Sequence, residues 1–497
     1  IRNGVFAALP DAFGISLGYT NDPTTFKNRS TPAPSTRSMA CKAQTSGRIY
    51  LHSGPRTELH EIIRQEYARH QDRAVPRNTL RQAVQGMLDT FAYQNFDAAA
   101  GEYTNRCCRP PRETEMRPWR LVTEIGWTGG GVLAYPLVLC RDALGADAEA
   151  PLAAAMSGEQ LFDRIADAYN ENSGLLNDLM APNAAGSQVN GWWTGYGLVK
   201  DCHCAYTVGS AVHYLTKTMD YLHQNGKPCP AKWMDAAQKV LHTVMDLQRA
   251  DGAFGYTYST QERKVLDWSG FAGCWFAPAL VYLYRLTGEE RCLHSAEKAL
   301  DYYHTFVKDL NCYGTPMDTW KAVDEEGNLA FMRGSRLLYE QTGNAEFLQY
   351  MKDSAGYEFL WRYGYKTYPE HTPLNQGWSA CGGAVTSVSN PHIHPMGVII
   401  DTDLRYLARV TGDGYYASRA ADSAAWMLQC LELYPAATGY GRYGILSERW
   451  CPSDGLDVER FSDGRPFSSW FSHNLWASAC VLEAACELLL EIEHKKG

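Results

Sequence analysis

The stretch WSACGGAVTSVSNPHIHPMGVIIDTDLRYLARV, residues 378–410, contains the pattern that decides the fold. A loop of small residues leads into the polar turn NPHIHP at 390–395, and apolar residues at helical spacing follow from Met396 onward. Proline is tolerated in the first turn of a helix, because the N–H that it lacks is unpaired there anyway. The stretch therefore predicts a polar helix entrance followed by a helix that belongs to the core.

Five other stretches repeat this pattern, in which a loop of glycine, aromatic and polar residues opens a strongly apolar helix. The six entrances are EIGWTGGG from 124, HCAYTVG from 203, DWSG from 267, NLAFMRG from 328, NPHIHP from 390 and SWFSHN from 469. A more amphipathic, charge-bearing helix lies between each pair, so a buried helix alternates with a half-exposed one. This repeat predicts an all-α (α/α)6 toroid whose entrances surround one mouth. The competing architecture, an open α-solenoid, has shorter and more uniform repeats.

Helical apolar spacing recurs in twelve places after about residue 75. The predicted helices are 76–93, 124–144, 157–170, 204–224, 231–249, 270–287, 290–308, 328–343, 345–363, 395–411, 414–433 and 468–492. Residues 1–70 are instead rich in Thr, Ser, Pro and Gly, with strand-like pieces at 14–19 and 48–52. We interpret 1–70 as a β-rich N-terminal region or the remnant of a β-sandwich module, with an irregular arm as the alternative. Residues 71–497 are the predicted toroid domain.

The charge balance excludes several classes of partner. The 497 residues carry 46 Lys and Arg against 55 Asp and Glu, a formal net charge of −9, without a long basic run. This argues against nucleic acid and against attraction to an anionic membrane surface. No apolar run reaches the length of a transmembrane helix. The sequence is compatible with a homo-oligomer.

The cysteines and the N-terminus bear on the compartment. The 15 cysteines follow neither a disulfide framework nor the paired spacing of a zinc site, which suits a reducing compartment. No signal peptide is visible from Ile1 onward, so we expect a cytoplasmic protein. The missing initiator Met indicates a processed or truncated start, so a periplasmic or secreted location stays open.

Aromatic residues are unusually frequent outside apolar runs. The chain contains 30 Tyr and 14 Trp, many of them beside Gly, Asn or Asp. A flat ring covers the C–H face of a pyranose, while neighbouring polar groups bind the hydroxyls. The pattern predicts a cleft for an oligosaccharide, with aromatic core filling as the alternative.

Three carboxyls in aromatic or Gly-rich loops are the candidates for acid–base catalysis: Asp267, Glu448 and Glu124. Glycoside hydrolysis normally needs one carboxylic acid to protonate the leaving oxygen and one carboxylate to act as base or nucleophile. Each candidate has a Trp nearby, which can raise the pKa of an acid by excluding water. Taken singly, each is explained equally well as a helix N-cap or a member of a loop salt bridge.

Aromatic, histidine, asparagine and arginine side chains near the entrances are the candidates for substrate binding. They are Trp127, Trp193, His203, Tyr206, Trp268, Arg333, Asn390, His392, His394, Arg449, Trp470 and His473. The histidines are expected to bind the substrate rather than break the bond. His392 and His394 form an HxH pattern that could join His203 or Cys204 at a metal, but this signal is weak alone. We predict no metal and no cofactor.

Five motifs give the chain the loop style of a toroid carbohydrate-active enzyme. They are NENSGLLND at 170–178, GWWTGYG at 191–197, HCAYTVGSAVHYL at 203–215, DGAFGYTYS at 251–259 and NPHIHPMG at 390–397. With its short β region before the toroid, the chain resembles glycoside hydrolase family 154, whose members include β-glucuronidases. It is also similar to the unsaturated-uronyl hydrolases. The resemblance covers about residues 75–490 and implies an acidic glycan fragment as substrate.

The leading hypothesis is an exo-acting, β-glucuronidase-like glycoside hydrolase on an oligosaccharide that contains uronic acid. A carboxyl pair would cut the bond, and Arg333, Arg442 or Arg449 would hold the uronate carboxylate with the histidines. The alternative enzyme is a toroid polysaccharide lyase, in which Tyr206 or a His abstracts the C5 proton while Asn390, His392 and an Arg neutralise the carboxylate. A non-catalytic glycan-binding toroid is the third hypothesis.

Overall fold

The computed structural model describes one short hairpin near the N-terminus and most of the chain after residue 53. The described residues are 4–9, 12–17, 53–69, 73–107, 117–119, 125–126, 129–178, 191–194, 197–314, 321–366, 378–387, 390–431, 433, 444, 446–450, 469–470 and 472–495. The predicted strand-like piece at 48–52 lies outside them. The piece at 14–19 overlaps the second strand of the hairpin, Ala12–Leu17.

The described residues form fourteen α-helices. They are α1 (Leu59–Arg69), α2 (Leu80–Thr90), α3 (Gly131–Leu144), α4 (Glu149–Ala154), α5 (Gly158–Asp167), α6 (Ala205–Gln224), α7 (Ala231–Asp246), α8 (Phe276–Thr287), α9 (Glu290–Lys308), α10 (Glu326–Thr342), α11 (Ala345–Trp361), α12 (Asp401–Thr411), α13 (Gly414–Cys430) and α14 (Leu475–His494). Each of the twelve predicted helix positions contains a helix. Across the described ranges, none of the helices combines the length and apolar character that crossing a membrane requires.

Six of these helices form a closed inner ring. Around the ring α3, α6, α8, α10, α12 and α14 each contact the next helix, and α14 contacts α3 to close it. Outside the ring pack α2, α5, α7, α9, α11 and α13. The predicted (α/α)6 toroid is therefore confirmed, and α1 and α4 are additions to it.

The two kinds of helix differ in burial as the sequence pattern predicts. In the inner helix α6 every residue from 205 to 220 is buried. In the outer helix α7 the buried apolar residues Trp233, Ala237, Val240 and Val244 recur at helical spacing, while the opposite face is polar. A helix that is buried on all sides can only lie inside the ring, whereas an amphipathic helix can cover it.

The chain also forms short strands. They are β1 (Gly4–Leu9), β2 (Ala12–Leu17), β3 (Phe96–Asp97), β4 (Glu102–Tyr103), β5 (Asn105–Cys107), β6 (Arg117–Trp119), β7 (Tyr169–Asn170), β8 (Leu175–Leu176), β9 (Gly191–Thr194), β10 (Gly197–Lys200), β11 (Cys202–Cys204), β12 (Thr257–Ser259), β13 (Val265–Asp267), β14 (Ala384–Ser387), β15 (Asn390–His394), β16 (Arg449–Trp450), β17 (Ser469–Trp470) and β18 (Ser472–His473). All of the strand pairs are antiparallel.

Three small sheets link neighbouring entrances around the mouth. Strands β11, β12 and β13 join the entrances of α6 and α8, and β14 to β17 join those of α12 and α14. Strand β18 pairs with β5, which pairs in turn with β6, and both β5 and β6 lie between α2 and α3. At the entrance of α10, the Glu325 N–H donates to the Thr386 carbonyl at 2.8 Å. The rim is thus held by hydrogen bonds between segments far apart in sequence.

Two entrances differ from the prediction. The expected polar turn at 390–395 is mostly strand β15, because its backbone pairs with β14 and β16. A 3-10 segment, Met396–Ile400, then leads into α12. Helix α10 begins at Glu326, so the expected entrance residues 328–333 lie inside the helix. The true entrance of α10 is the acidic segment just before it.

Helix α1 falls within the segment expected to be rich in strand. It packs against the outer helix α11. Arg64 forms an ion pair with Asp413 at 2.7 Å, and the Tyr67 hydroxyl donates to Asp422 at 2.6 Å. Residues 59–69 are therefore a helical part of the outer layer.

A buried polar network crosses the barrel below the mouth. Lys217 Nζ lies 2.8 Å from Glu487 Oε1, and the same carboxylate accepts hydrogen bonds from Tyr135 Oη at 3.2 Å and Thr402 Oγ1 at 2.6 Å. These residues come from α6, α14, α3 and α12. Lys217 also lies 4.2 Å from the centre of the Tyr135 ring. At this depth the barrel is a packed core rather than an open pore.

Candidate active site

A Tyr–Glu pair from two inner helices lies at the mouth of the toroid. Tyr206 is in the first turn of α6, and Glu326 is the first residue of α10. The Tyr206 hydroxyl donates to Met396 Sδ at 3.9 Å, and burial and the charge of nearby Glu326 both raise the pKa of Tyr206. Glu326 is 8% exposed, whereas Tyr206 is 1% exposed. The carboxylate therefore lies at the edge of the buried core, with the phenol beneath it.

The protonation of Tyr206 follows from its surroundings. Burial raises the pKa of Tyr206 well above its ordinary value, and the charge of Glu326 raises that pKa further. The phenol therefore keeps its proton at neutral pH and acts as a donor. The pair thus places a phenol hydroxyl close to the carboxylate of Glu326.

A histidine and a tryptophan form a second pair at the mouth. His394, at the end of β15, stacks on Trp476 in the first turn of α14, with 6.0 Å between the ring centres and 21° between the planes. Both side chains are buried. Met396, two residues after His394, contacts Tyr206. Met396 thus connects the segment after His394 to Tyr206, and both His394 and Tyr206 are predicted binding residues.

A buried charge cluster lies behind the start of α10. Arg362 donates from Nη2 and Nε to Glu358 Oε1 at 2.8 and 3.1 Å, and from Nη1 to Asp401 Oδ1 at 2.9 Å. Burial raises the pKa of Asp401 to about 6, although Arg362 opposes that rise. Burial, and then the neighbouring Glu358, raise the pKa of Glu325 well above its ordinary range. All four side chains are almost completely buried.

The sequence patterns do not single out Glu325 and Glu326. They belong to the acidic run 324–326, directly before the buried body of α10. Acidic residues in the first turn of a helix are usually explained by the helix dipole, so such a run does not by itself indicate a functional site. The available signal is that three consecutive acids precede an almost wholly apolar helix face.

The three predicted catalytic carboxyls are not brought together by the described residues. Asp267 ends β13, accepts the Ser269 N–H at 2.8 Å and pairs with Lys321 Nζ at 2.5 Å. Glu448 is half-buried and precedes β16, in a different rim sheet. Glu124 lies outside the described residues. The expectation that these three act in catalysis stays a prediction.

His203 is held inside the protein by both of its ring nitrogens. Nδ1 lies 2.9 Å from Asp178 Oδ2, and Nε2 lies 2.9 Å from Ser173 Oγ. All three side chains are fully buried or nearly so. Burial raises the pKa of Asp178, although the hydrogen bond from His203 opposes this rise. A substrate could bond to His203 only if one of these contacts broke.

His473 is also enclosed by protein groups. Nε2 lies 3.0 Å from Asn95 Oδ1, and Nδ1 lies 3.2 Å from Ser478 Oγ and 3.4 Å from the Leu446 N–H nitrogen. Burial lowers the pKa of His473 to about 4. The ring is therefore neutral at physiological pH, with Nε2–H donating to Asn95 and Nδ1 accepting. Its hydrogen bonds therefore connect β18 to the short π-helix Phe91–Asn95, which directly follows α2.

The remaining predicted binding residues fall in three groups. Arg333 lies inside the barrel, where it pairs with Asp403 at 2.8 Å. Trp268 is half-buried, with Arg249 5.2 Å from its ring centre. Trp193, Asn390, His392, Arg449 and Trp470 lie on strands β9, β15, β16 and β17, and Trp127 lies outside the described residues. The described ranges contain no group of three His, Cys, Asp or Glu side chains placed to hold a metal ion.

The described helices define the chain as an (α/α)6 toroid. No family model matches the sequence, and neither does any curated protein. Solved structures do match.

The chain is similar to a family 76 glycoside hydrolase (mannosidase) from Bacteroides thetaiotaomicron, with 14% identity and a TM-score of 0.51, over 84% of this chain and 99% of that one. A cellobiose 2-epimerase from Spirochaeta thermophila matches with 12% identity and a TM-score of 0.53, over 89% of this chain and 100% of that one. A D-mannose isomerase matches with 11% identity and a TM-score of 0.52, over 83% and 97%. At such identities the likeness establishes the fold.

Proposed function

We propose that this protein is a glycoside hydrolase whose active site lies at the mouth of the toroid and includes Glu326. The observation that carries the proposal is the closeness of Tyr206 and Glu326, at the starts of two inner helices, where burial and the charge of Glu326 raise the pKa of Tyr206. Catalytic carboxyls need fixed positions at the edge of a water-poor site. Glu326 has both the fixed position and residual exposure.

The two carboxyl roles can be assigned from the surroundings. Because the protonated Tyr206 hydroxyl lies close to it and would stabilise a carboxylate, Glu326 suits the ionised role, as base or nucleophile. The acid must come from another entrance, and Glu448 is our first candidate because it is half-buried beside the rim strand β16. Glu124 and Asp267 are the further candidates.

The substrate that we propose is an oligosaccharide containing uronic acid, as in family 154. Inner-helix N-termini point toward the mouth, and the positive ends of their dipoles favour an anionic sugar. Arg449 lies on rim strand β16 and is our candidate for the carboxylate, since Arg333 is already paired with Asp403. His394 and its strand neighbours would bind hydroxyls.

A second candidate function is sugar epimerisation or isomerisation. Two of the matching structures carry such names. The specific observation in its favour is His394, which stacks on Trp476 at the mouth and could take a proton from a sugar carbon. A lyase that uses Tyr206 as its base is disfavoured, because burial raises the pKa of that phenol.

A panel of neutral and uronate-containing oligosaccharides tests these functions. Hydrolysis is expected to shorten the chain and release new reducing ends, with uronate substrates turned over faster than neutral ones. A change of configuration or of carbonyl position without shortening would establish the second candidate instead. Ultraviolet absorbance of an unsaturated product would establish a lyase, and saturable binding without turnover a glycan-binding toroid. If neutral substrates were turned over as fast as uronate substrates, the uronate substrate would be ruled out, but the proposed hydrolase activity would stand.

A further inference from the structure

Two glutamates from different helices meet in the core behind the mouth. Glu325 immediately precedes α10, and Glu358 lies in the last turn of α11. Both converge on Gly397, because a Cβ atom at that position would lie 2.2 Å from Glu325 Oε1 and 3.0 Å from Glu358 Oε1. Both side chains are 0% exposed. The two carboxyls therefore lie beside each other, away from water.

The only cation in contact with this pair among the described residues is Arg362. Its guanidinium donates twice to Glu358 Oε1 and once to Asp401 Oδ1, and it also donates to the Gly397 carbonyl at 2.8 Å. Within the described part of the chain, neither oxygen of Glu325 accepts a hydrogen bond from any N–H or O–H donor. One cation thus faces three carboxyls, and the carboxyl without a donor is Glu325.

An arrangement with every carboxyl ionised is energetically unfavourable. A buried charge without a partner is costly, and two neighbouring carboxylates repel each other. A proton on one of them removes the repulsion and supplies the missing hydrogen bond between them. Arg362 donates to Asp401 and Glu358 but not to Glu325, so the proton belongs on the Glu325 side.

The other titratable groups around Glu325 do not neutralise the negative charge of the three carboxyls. Asp324 and Glu326 come from the same helix start, Asp401 from α12, and the Cys480 thiol from α14. None of them is a cation. Among the described residues Arg362 is thus the cation in contact with the cluster, and it is engaged by Glu358, Asp401 and the Gly397 carbonyl, while the charge of Arg405 acts on Asp401.

We propose that Glu325 and Glu358 share one proton at neutral pH, and that the resulting hydrogen bond fixes the start of α10 and so positions Glu326. The shared proton is a property of the folded protein alone, whereas the positioning of Glu326 for catalysis rests on the proposed function. Glu325 is a positioning residue in this scheme, since its carboxyl faces the core rather than the mouth.

Infrared spectroscopy of the folded protein at neutral pH tests the shared proton. The wild type is expected to show the C=O stretch of a buried protonated carboxyl, and Glu325→Gln is expected to lose it. Glu340→Gln is the matched control, since Glu340 lies on the same helix and accepts from Arg336 and Arg285, which keep it ionised. Absence of the band in the wild type, or its persistence in Glu325→Gln, would overturn the proposal.

Kinetics test the positioning role separately. Glu325→Gln keeps a donor toward Glu358 and should retain turnover, whereas Glu325→Ala should lose kcat by about 10- to 100-fold with KM little changed. Full activity in folded Glu325→Ala would overturn the positioning role even if the band were present. If the wild type hydrolyses no substrate, the proposed function fails and the infrared result still decides the shared proton.

Discussion

Arg333 Nε donates to both carboxylate oxygens of Asp403, at 2.9 and 2.8 Å, and so ties α10 to α12 inside the barrel. Arg333 Nη2 also donates to the Ile399 carbonyl at 3.0 Å. The residue lies about two turns into α10, below the mouth. A side chain expected to bind a substrate carboxylate is therefore engaged by a carboxylate of the protein itself.

Replacement of Arg333 by Met should destabilise the fold. The substitution leaves the buried Asp403 with only its 3.2 Å contact to Arg336, and losing one partner of a buried ion pair costs about 3 kcal/mol. The free energy of unfolding in urea measures this. The exposed Arg409→Met is the control, with an expected change within about 0.5 kcal/mol. A stable Arg333→Met protein with a raised KM for uronates would instead restore the substrate-binding role.

Replacement of Glu326 by Gln should abolish most of the turnover. The amide keeps the shape but can neither take a proton nor act as a nucleophile, so kcat should fall by about 10²- to 10⁴-fold. Steady-state kinetics with circular dichroism separates this from unfolding.

Two further variants, one beside Glu326 and one on the surface, serve as comparisons for Glu326→Gln. Tyr206→Phe removes the hydroxyl donor beside Glu326 and should lower kcat by about tenfold. The exposed Glu171→Gln should retain full activity. Undiminished turnover in Glu326→Gln would remove Glu326 from the catalytic pair and return attention to Glu448, Asp267 and Glu124.

His473 should make the protein sensitive to acid. Its pKa is about 4 in the folded protein against an ordinary value of 6.5, so the unfolded chain takes up the proton first as the pH falls. The stabilisation is fully present above pH 6.5 and is lost as the pH falls toward 4, by about 3 kcal/mol.

Urea unfolding of the wild type and His473→Gln across this pH range measures the loss. The variant should show a shallower fall in the free energy of unfolding, because Gln can still donate to Asn95 without titrating. The exposed His294→Gln should retain the wild-type slope. Identical acid dependence in His473→Gln and the wild type would contradict the assignment.

Removal of His203 should lower stability more than substrate affinity. His203→Ala leaves the buried Asp178 and Ser173 without their shared partner, at a cost of about 3 kcal/mol. The urea midpoint and the KM, both measured below the melting temperature, separate the two effects. His294→Ala is the exposed control. A large rise in KM at unchanged stability would support direct substrate binding by His203.

The periodicity of the sequence predicts the ring because the apolar residues of each inner helix already indicate that the helix is buried. Every residue from 205 to 220 is buried, and this is visible in the composition of that segment. The partners of His203 are not visible in this way, since Asp178 and Ser173 lie 25 and 30 residues away. Strand β15 looks like a proline-rich turn until β14 and β16 pair with it.

The carboxyl pair and helix α1 were missed for related reasons. Glu325 and Glu358 meet only because α10 and α11 pack side by side, and their separation along the chain carries no recognisable spacing. Residues 59–69 have a helical pattern, but the Thr, Ser and Pro around them dominate the composition of the segment. Local patterns therefore predict elements well, whereas the site depends on which elements meet.

The packing of α14 on α3 has a consequence for synthesis of the protein. Cys140 and Cys486 lie 3.9 Å apart at this seam although 346 residues separate them along the chain. As the chain leaves the ribosome, α3 exposes the apolar face that α14 will cover until almost the whole toroid has been translated. Such long-range closure slows folding and leaves nascent chains prone to aggregation.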